Sequence, residues 1–390
     1  MNITICGAGN AAQTMIALLA ADRDAQVTVF APLADEAARL AAASAPEGLA
    51  VTFAGGETAV GRPQRVTTDP RSAAQDADLV LLALPAFAHE SILRALAPYL
   101  RPAVWIGALP ARGGFDWMAR AVLGLNDEAS PTVLFGLQTL PWACRIQSWG
   151  RRVEVLGTKA EVDLAAWPAT CAGTIAEVVQ RLIGVNVRTV PSFLALTLAN
   201  TGQIIHPGIM YGLFHAWDGL PFTADATPAF YGGVDDETAA VLQALSDEVQ
   251  TICRALERTN PELDLSSVDT LIGWLLRSYA GQIDDPSTLR SAFNTNRAYA
   301  GLRAPMMRSG EGYAPAFDSR YLSEDVPYGL LVTRGIGELA NVITPVIDNV
   351  IMWAQEKLGR QYLTVGGVGG SDLQGTRAPQ RFGFNSAACL

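Results

Sequence analysis

Charged residues, histidines and cysteines are scarce in this sequence, and each scarcity narrows the possible functions. Charged residues make up 17% of the 390, against roughly a quarter in an average soluble chain, and the mean hydropathy is +0.20. This composition excludes an intrinsically disordered chain, which needs low hydrophobicity and high charge. It favours many buried segments, as in α/β folds covered on both faces. The length predicts two or three domains at roughly 150 residues each.

Basic clusters and paired cysteines are missing as well. The net charge is −10, and Arg151 and Arg152 form the densest basic spot, whereas a nucleic-acid-binding protein needs a basic patch for the phosphates. The five cysteines include no CxxC pair, which predicts reduced thiols in a cytoplasmic protein. No signal peptide and no metal-ligand spacing is recognised. We therefore expect small-molecule partners and no nucleic acid, membrane or metal.

A long uncharged stretch covers residues 189–217 and is long enough to span a bilayer. Polar residues, glycines and prolines interrupt it, among them Asn200, Gln203, His206 and Pro207, and no basic cluster marks a cytoplasmic side. We interpret it as a buried, broken helix. Polar groups inside such a segment usually mark a functional site.

Two kinds of pattern divide the chain. The first half alternates strand patterns with helix patterns (strands at 2–6, 26–30, 65–67, 79–84, 102–109 and 132–137; helices at 11–21 and 33–43). The second half has helical spacing, chiefly at 237–258, 267–282 and 327–358. Repeated β-α units predict a doubly wound parallel sheet of the Rossmann type. We predict an α/β protein with a nucleotide-binding domain at 1–189, an all-helical domain at 190–390 and a cleft between them.

A glycine-rich loop follows the first strand. The run Gly7, Ala8, Gly9, Asn10, Ala11, Ala12 has the form GxGxxA. The first glycine permits a tight turn, the second lets the backbone approach a pyrophosphate, and the small third residue lets the helix pack on the sheet. Its position after a strand and before a helix predicts dinucleotide binding.

The acid that usually binds the adenosine ribose is absent from its expected place, where the chain has Phe30, Ala31 and Pro32. Asp35 and Glu36 follow, and they either reach the ribose or only favour the start of the next helix. Arg39, the nearest cation, lies a helical turn beyond them. These residues favour NADH over NADPH.

The sequence contains only three histidines, and a reductase acting on a carbonyl or imine needs an acid with a pKa near neutrality. His89 either lines the cofactor or starts a helix, and His215 is interpreted as structural. Pro207 disfavours helical geometry at His206, so we expect the helix to break there and expose the imidazole. The alternative for His206 is an ordinary buried histidine.

A catalytic histidine needs a carboxylate that orients it, and Asp325 is the candidate. It precedes a predicted helix, so the alternative is that Asp325 or Ser323 only caps that helix. Arg320 is a candidate for binding a substrate carboxylate, and its alternative is a surface ion pair.

Five segments spread over the chain resemble the opine dehydrogenase family, and octopine dehydrogenase in particular. They are residues 84–90 (LPAFAHE), 139–145 (TLPWACR), 320–325 (RYLSED), 351–357 (IMWAQEK) and 379–385 (PQRFGFN). Members of this family join a 2-oxo acid, usually pyruvate, to the amine of an amino acid and reduce the imine with NADH. The resemblance implies the same reaction here, with a Rossmann domain for the cofactor and a helical domain that helps to bind the amino acid.

The resemblance also implies roles for individual residues. His206 and Asp325 match the catalytic pair of the family. Cofactor contacts are implied for the glycine loop and for Leu33, Ala34, Asp35, Glu36, Pro85 and Arg320. Substrate contacts are implied for Arg112, Gln138, Thr139, Cys144, Gln203 and Trp274.

Two departures from octopine dehydrogenase, which has Glu at position 138 and Gln at position 112, leave the substrate open. By the resemblance, Gln138 lies in the amino-acid pocket; the alternative is that it faces the sheet and never contacts substrate. Arg112 lies in the oxo-acid pocket by the same resemblance. We predict an NADH-dependent opine dehydrogenase that is a monomer or a homodimer. The alternatives are a plain 2-oxo-acid or ketopantoate-type reductase, or an NAD-sensing protein without turnover.

Overall fold

The computed structural model describes all residues from Met1 to Leu390 and divides into two compact units, residues 1–196 and 197–390. The last strand of the first unit ends at Thr189, where the sequence predicts the domain boundary. The segment that follows, up to Leu196, also belongs to the first unit.

The first unit alternates strands and helices, as predicted. Its strands are β1 Asn2–Cys6, β2 Gln26–Phe30, β3 Leu49–Phe53, β4 Thr58–Gly61, β5 Arg65–Thr67, β6 Leu79–Leu82, β7 Trp105–Ala108, β8 Val133–Leu137, β9 Trp142–Ser148, β10 Arg152–Thr158, β11 Glu161–Trp167 and β12 Asn186–Thr189. Its helices are α1 Asn10–Leu19, α2 Ala34–Ser44, α3 Pro70–Ala74, α4 Ala86–Leu96, α5 Phe115–Leu123 and α6 Ala172–Ile183, and α7 Phe193–Leu198 crosses the unit boundary.

The main sheet is an eight-stranded, doubly wound sheet. Its strand order is β12-β11-β8-β7-β6-β1-β2-β5. The six strands from β8 to β5 are parallel and have the order of a dinucleotide-binding fold. Successive strands are added on one side of β1 up to β5 and on the other side from β6 onwards, so the strand order reverses between β1 and β6. Every residue of β6 and of β8 is buried, as expected when helices cover both faces. The sheet differs from the wholly parallel prediction in β11, which pairs with β8 in the antiparallel direction.

A second, four-stranded sheet of order β4-β3-β10-β9 was not predicted from the sequence. Its strands β9 and β10 alternate buried and exposed residues over part of their length. Residues such as Val153 and Val155 bury one face of this sheet in the same core as helix α1. The sheet therefore covers α1, the helix that follows the glycine loop.

The second unit is mainly helical, as predicted. Its helices are α8 Gly202–Phe214, α9 Asp236–Thr259, α10 Leu271–Ser278, α11 Leu289–Asn294, α12 Arg320–Ser323, α13 Leu331–Leu339 and α14 Pro345–Leu358. Two short hairpins add to the predicted helices, β13 Met306–Ser309 with β14 Gly312–Pro315 and β15 Leu363–Thr364 with β16 Gly367–Val368. Helices α8 and α9 pack closely at two glycines of α8. A Cβ on Gly208 would collide with Leu242 of α9, and a Cβ on Gly212 would collide with Thr238.

The helix predicted for residues 327–358 is wrong as a single element. It consists of a π-helix at Val326–Leu330, helix α13 and helix α14. The chain turns between the two α-helices at Asn341, whose φ of 55° is left-handed, and Pro345 begins the next helix. Proline is favoured at a first helical position because its missing N–H would have no partner there.

The uncharged segment is a broken helix, but the break lies elsewhere than predicted. It falls between α7 and α8, at residues 199–201, and Pro207 lies inside α8. Proline removes one intrahelical hydrogen bond, and the buried setting of α8 compensates for that loss through packing. No helix of the structure is both long enough and apolar enough to cross a bilayer.

Candidate active site

The glycine loop has the geometry that a dinucleotide needs. Gly7 has a left-handed φ of 118°, and a Cβ there would lie 2.8 Å from the carbonyl oxygen of Ala83. A Cβ on Gly9 would meet nothing within 4 Å, so the glycine leaves open space beside the start of α1. No side chain caps the first turn of that helix. Its free N–H groups and helix dipole suit a pyrophosphate, so the loop fits NADH.

The loop is held in place by the second sheet. Gln13 is buried, donates from Nε2 to the carbonyl oxygen of Ala8 at 2.9 Å, and accepts at Oε1 from the N–H of Gly150 at 3.0 Å. The side chain of Asn10 accepts from the N–H of Ile146 at 2.8 Å. The side-chain oxygen of Asn10 therefore ties the start of α1 to strand β9, and the predicted contact of Asn10 with the cofactor rests on its backbone.

The other predicted residues of the first unit follow the ends of parallel strands. Leu33 comes after β2, Pro85 after β6, Arg112 after β7 and Gln138 directly after β8. The carboxyl ends of parallel strands meet at one edge of a sheet, and in open α/β sheets ligands bind there. The structure therefore gathers these residues at the edge that carries the glycine loop.

The acids predicted to contact the ribose lie in the first turn of α2. Asp35 is exposed and Glu36 is partly buried. The guanidinium of Arg39 lies 4.9 Å from the ring centre of Trp149, in a cation–π contact. The carboxylates of Asp35 and Glu36 would repel the 2′-phosphate of NADPH, and the nearest cation, Arg39, is held against Trp149. Both features agree with the use of NADH.

Arg112 and Gln138, both predicted substrate residues, are neighbours. The N–H of Ala111 donates to the carbonyl oxygen of Leu137 at 2.9 Å, which joins the loops that carry the two side chains. Arg112 has a left-handed φ of 60°, a conformation that costs a non-glycine residue energy and that clusters at functional sites. Gln138 is 7% exposed.

The predicted residues Thr139 and Cys144 separate in the structure. Thr139 lies in the partly exposed turn before β9, whereas Cys144 is buried on β9 in the core of the unit. Desolvation raises the pKa of the Cys144 thiol above its ordinary value. The structure thus places Cys144 in the packing beneath α1 and does not expose it to a ligand.

The turn at residues 139–141 has an anchor that the sequence analysis missed. Lys159 donates from Nζ to the carbonyl oxygen of Leu140 at 2.9 Å and from its backbone N–H to that of Pro141, also at 2.9 Å. Burial lowers the pKa of this ammonium to about 8. A lone lysine after a strand carries no sequence signal for this role.

His206 and Asp325, the predicted catalytic pair, are in contact. Nδ1 of His206 lies 2.7 Å from Oδ2 of Asp325, although 119 positions separate them in the sequence. The His206 side chain is 19% exposed and that of Asp325 is 2% exposed. Asp325 makes no side-chain cap to the following helix, which removes the capping alternative. The pair has the geometry of a general acid–base whose tautomer is set by a carboxylate.

Local features of the second unit bring this pair together. Asp325 directly precedes the π-helix Val326–Leu330, an element found often at functional sites. A Cβ on Gly329 would lie 2.5 Å from Cβ of Gln203, which is one turn before His206 on α8. Gly329 therefore lets the π-helix approach α8 closely enough for the carboxylate to reach the imidazole.

Aromatic side chains surround His206, and the sequence analysis missed all of them. Tyr321 stacks on the imidazole with ring centres 4.1 Å apart, and the hydroxyl of Tyr231 lies 3.1 Å from Nε2. Phe230 lies within 6.1 Å. Tyrosines are common in structural cores, so these positions had no pattern that distinguished them. The RYLSED segment already held Tyr321 beside Asp325, which was the one available signal.

Arg320 is paired and still available for a ligand. Its Nε donates to the carboxylate of Glu324, which is only 1% exposed, while the Arg320 side chain is 57% exposed. Its terminal Nη groups make no hydrogen bond within the protein. A guanidinium that is oriented by one carboxylate and exposes its outer edge suits a second carboxylate from a substrate.

The remaining predicted residues of the second unit lie at different distances from His206. Gln203 is fully buried on α8, with Nε2 donating to the carbonyl oxygen of Thr197 at 3.3 Å. Trp274 is linked to His206 by a series of ring contacts. It packs on Tyr279, which contacts Tyr299, and Tyr299 stacks on Tyr231, whose hydroxyl meets the imidazole.

The two other histidines have structural surroundings. His89 is fully buried on α4, its Nε2 lies 2.9 Å from the carbonyl oxygen of Leu84, and Phe115 meets its ring edge-on. His215 is exposed at the end of α8, and its Nδ1 lies 3.0 Å from the carbonyl oxygen of Tyr211. Only His206 combines a buried carboxylate partner with partial exposure.

Two family models match the chain. Residues 189–358 match the α-helical domain of NAD/NADP octopine/nopaline dehydrogenases, and residues 3–109 match ketopantoate reductase PanE/ApbA. The ketopantoate match is confined to the nucleotide-binding part, and the helical match covers His206 and Asp325.

Full-length relatives carry opine-forming names. Octopine dehydrogenase of Pecten maximus is 39% identical over 99% of this chain and 97% of its own length. Opine dehydrogenase of Haliotis discus hannai is 36% identical over 100% of this chain and 98% of its own. Tauropine dehydrogenase of Arabella iricolor is 36% identical over 98% of both chains.

A solved structure agrees with these relatives. Octopine dehydrogenase with NADH and L-arginine superposes with a TM-score of 0.92 at 37% identity, over 100% of this chain and 97% of that one. With NADH and pyruvate, the TM-score is 0.88 at 36% identity, over 99% and 96% of the two chains. The glycine loop, the His206–Asp325 pair and these full-length likenesses agree, and the chain belongs to the opine dehydrogenase family of NAD-dependent oxidoreductases that act on CH–NH bonds.

Proposed function

We propose that this protein joins a 2-oxo acid, with pyruvate as the favoured candidate, to the amine of a small or neutral amino acid and reduces the imine with NADH. The observation that carries the proposal is the 2.7 Å contact between His206 and a buried Asp325. Relatives named octopine and tauropine dehydrogenase support the reaction. Two of the solved relatives are complexes of NADH with L-arginine or with pyruvate.

The first unit supplies the cofactor site. The Gly7–Ala12 segment would hold the pyrophosphate through the N–H groups of α1, and the edge after β2 and β6 would hold the nucleoside and the nicotinamide. Bound NADH supplies the reducing equivalent for the imine carbon. The chain itself contributes the shape of the loop and the exclusion of water around it.

His206 supplies the proton chemistry. With Asp325 accepting from Nδ1–H, the proton that can be exchanged with a substrate is the one at Nε2. The protonated ring would polarise the oxo-acid carbonyl during attack by the amine and protonate the oxygen that leaves as water. Buried Asp325 would stabilise the imidazolium through those steps.

Arginines would bind the carboxylates. The oxo acid carries one carboxylate and an ordinary amino acid carries another. The product of the reaction contains both. Arg320 exposes its Nη groups and directly precedes Tyr321, which stacks on His206. Arg112 is placed by a left-handed backbone at the edge of the sheet. The guanidinium of either arginine can bind a carboxylate through two parallel hydrogen bonds.

The test is the dependence of NADH oxidation on both substrates. We expect oxidation with pyruvate and a neutral amino acid together, and only background oxidation with either alone, because the imine forms only from both. The measurement is the initial rate of NADH loss across a panel of 2-oxo acids with and without amino acids. Equal rates with the oxo acid alone would support a plain reductase. NADH binding without oxidation under any pair would support a sensing protein.

The amino-acid preference gives a second test, at Gln138. A carboxylate at this position forms charge-assisted hydrogen bonds with a cationic substrate, whereas an amide offers a weaker acceptor and also a donor. We expect L-arginine to be a poor substrate and Gln138→Glu to raise its kcat/KM about five- to tenfold relative to alanine. The ratio of the two substrates within each variant corrects for any loss of folded protein. Arginine as the best wild-type substrate would contradict the proposal.

A further inference from the structure

Both nitrogens of the His206 ring have partners within the second unit. Nδ1 contacts Asp325 at 2.7 Å, and Nε2 contacts the hydroxyl of Tyr231 at 3.1 Å. The second contact occupies the atom that must exchange a proton with the substrate. The catalytic pair alone does not explain why a phenol lies there.

The direction of the Tyr231 contact follows from its surroundings. Burial, then the proximity of Tyr321, Tyr279 and Asp325, raises the pKa of the Tyr231 hydroxyl well above its ordinary value. The phenol therefore keeps its proton. A carboxylate at Nδ1 requires N–H on that side of a neutral ring, so Nε2 is left as an acceptor and the Tyr231 hydroxyl donates to it.

Packing holds the Tyr231 ring in one position. Its ring stacks on Tyr299 with centres 3.9 Å apart and meets Phe230 nearly edge-on at 4.9 Å. It lies in the three-ten turn Tyr231–Gly233, and the residue is 8% exposed. A ring fixed on both sides can aim its hydroxyl at one nitrogen without a large entropic cost.

We propose that Tyr231 is a positioning residue of this active site, whose hydroxyl donates to Nε2 of His206, stabilises the neutral ring with its proton on Nδ1, and is displaced when a substrate takes Nε2. Its role in turnover rests on the proposed reaction, but its effect on the ring does not. A phenol can also accept a hydrogen bond, so the contact survives protonation of Nε2 with its direction reversed.

The titratable groups that face the imidazole are few. Asp325 approaches from the start of the π-helix, Tyr231 from the three-ten turn and Tyr321 from α12. The Arg320–Glu324 pair lies on α12 and just beyond it, and α8 itself carries no Asp, Glu, Lys or Arg. Removing the Tyr231 hydroxyl therefore removes one hydrogen bond to the imidazole and one contact with the Tyr321 side chain, and it changes no formal charge near the ring.

The experiment is ¹⁵N NMR of the histidine side chains with the rings neutral, in wild type and in Tyr231→Phe, without substrate. The three histidines give few signals, and His206→Ala identifies that of His206. In wild type we expect the neutral ring to carry its proton on Nδ1. In Tyr231→Phe the Nδ1–H form of the ring loses the donor at Nε2, so we expect the ratio of the Nδ1–H form to the Nε2–H form to fall about two- to tenfold.

Tyr299→Phe is the matched control, because it removes a buried hydroxyl from the same stack without a contact to His206. We expect its tautomer ratio to equal that of wild type. An unchanged or higher ratio of the Nδ1–H form in Tyr231→Phe, or an equal fall in Tyr299→Phe, would overturn the proposal. So would a neutral wild-type ring with its proton on Nε2, a result that needs no variant to fold. The reaction itself is tested separately by the requirement for both substrates.

Discussion

Replacing His206 with alanine is expected to lower kcat by roughly 10²-fold or more, the scale of general acid–base catalysis. The reason is that Nε2 of His206 is the exchangeable position left once Asp325 occupies Nδ1. The binding of NADH should be unchanged, because the glycine loop belongs to the other unit. The measurements are steady-state kinetics with both substrates and the Kd of NADH from fluorescence titration.

His215→Ala serves as the control for this prediction. His215 lies at the C-terminal end of the same helix, is exposed, and contacts a backbone carbonyl. We expect wild-type kcat in this variant. Near-wild-type turnover in His206→Ala would return His206 to the class of ordinary buried histidines, and the catalytic acid would have to be sought elsewhere.

Replacing Asp325 with asparagine is expected to lower kcat by roughly 10²-fold or more, because an amide neither fixes the Nδ1–H tautomer reliably nor stabilises the imidazolium. The substitution keeps the size of the side chain at a site that is 2% exposed. We therefore expect the melting temperature to change much less than the rate. The same ¹⁵N spectrum should show the neutral ring of His206 shifting towards the tautomer with its proton on Nε2.

Two readouts separate a chemical loss from a structural one in this variant. Thermal unfolding and the Kd of NADH should both stay close to wild type while kcat falls. A fall in kcat that is matched by a large loss of folded protein would show that Asp325 holds the π-helix against α8 and does not act through the imidazole. Full activity in Asp325→Asn would remove the carboxylate from the mechanism.

Local patterns in the sequence were enough for the nucleotide-binding part. Strands β1 and β2 begin and end at the predicted residues, and α1 begins at Asn10, one residue before its predicted start. These elements depend on hydrophobic periodicity and on glycines at a turn, which are properties of neighbouring residues. The prediction that His206 and Asp325 act together had another basis, because it rested on a family resemblance and not on local patterns.

Sequence reasoning was wrong where the outcome depended on distant packing. Pro207 was expected to end the helix at His206, but α8 continues through it, because burial against α9 outweighs the lost hydrogen bond. The helix expected at residues 327–358 is interrupted by the turn at Asn341. The second sheet pairs β3 with β10 across many intervening residues, and such pairing leaves only a weak local pattern.

Local sequence patterns and the family resemblance were sufficient to identify the class of this protein: an NADH-binding Rossmann unit, a helical unit with one histidine predicted to be catalytic, and membership of the opine dehydrogenase family. The surroundings of that histidine depend on how distant segments of the chain pack. Tyr231 and Tyr321 come from separate segments of the chain and converge on His206 at 3.1 Å and 4.1 Å. Their contacts follow from how α8, the three-ten turn and α12 pack together. That packing arises from close approaches such as the one at Gly329, which no periodicity along the chain encodes.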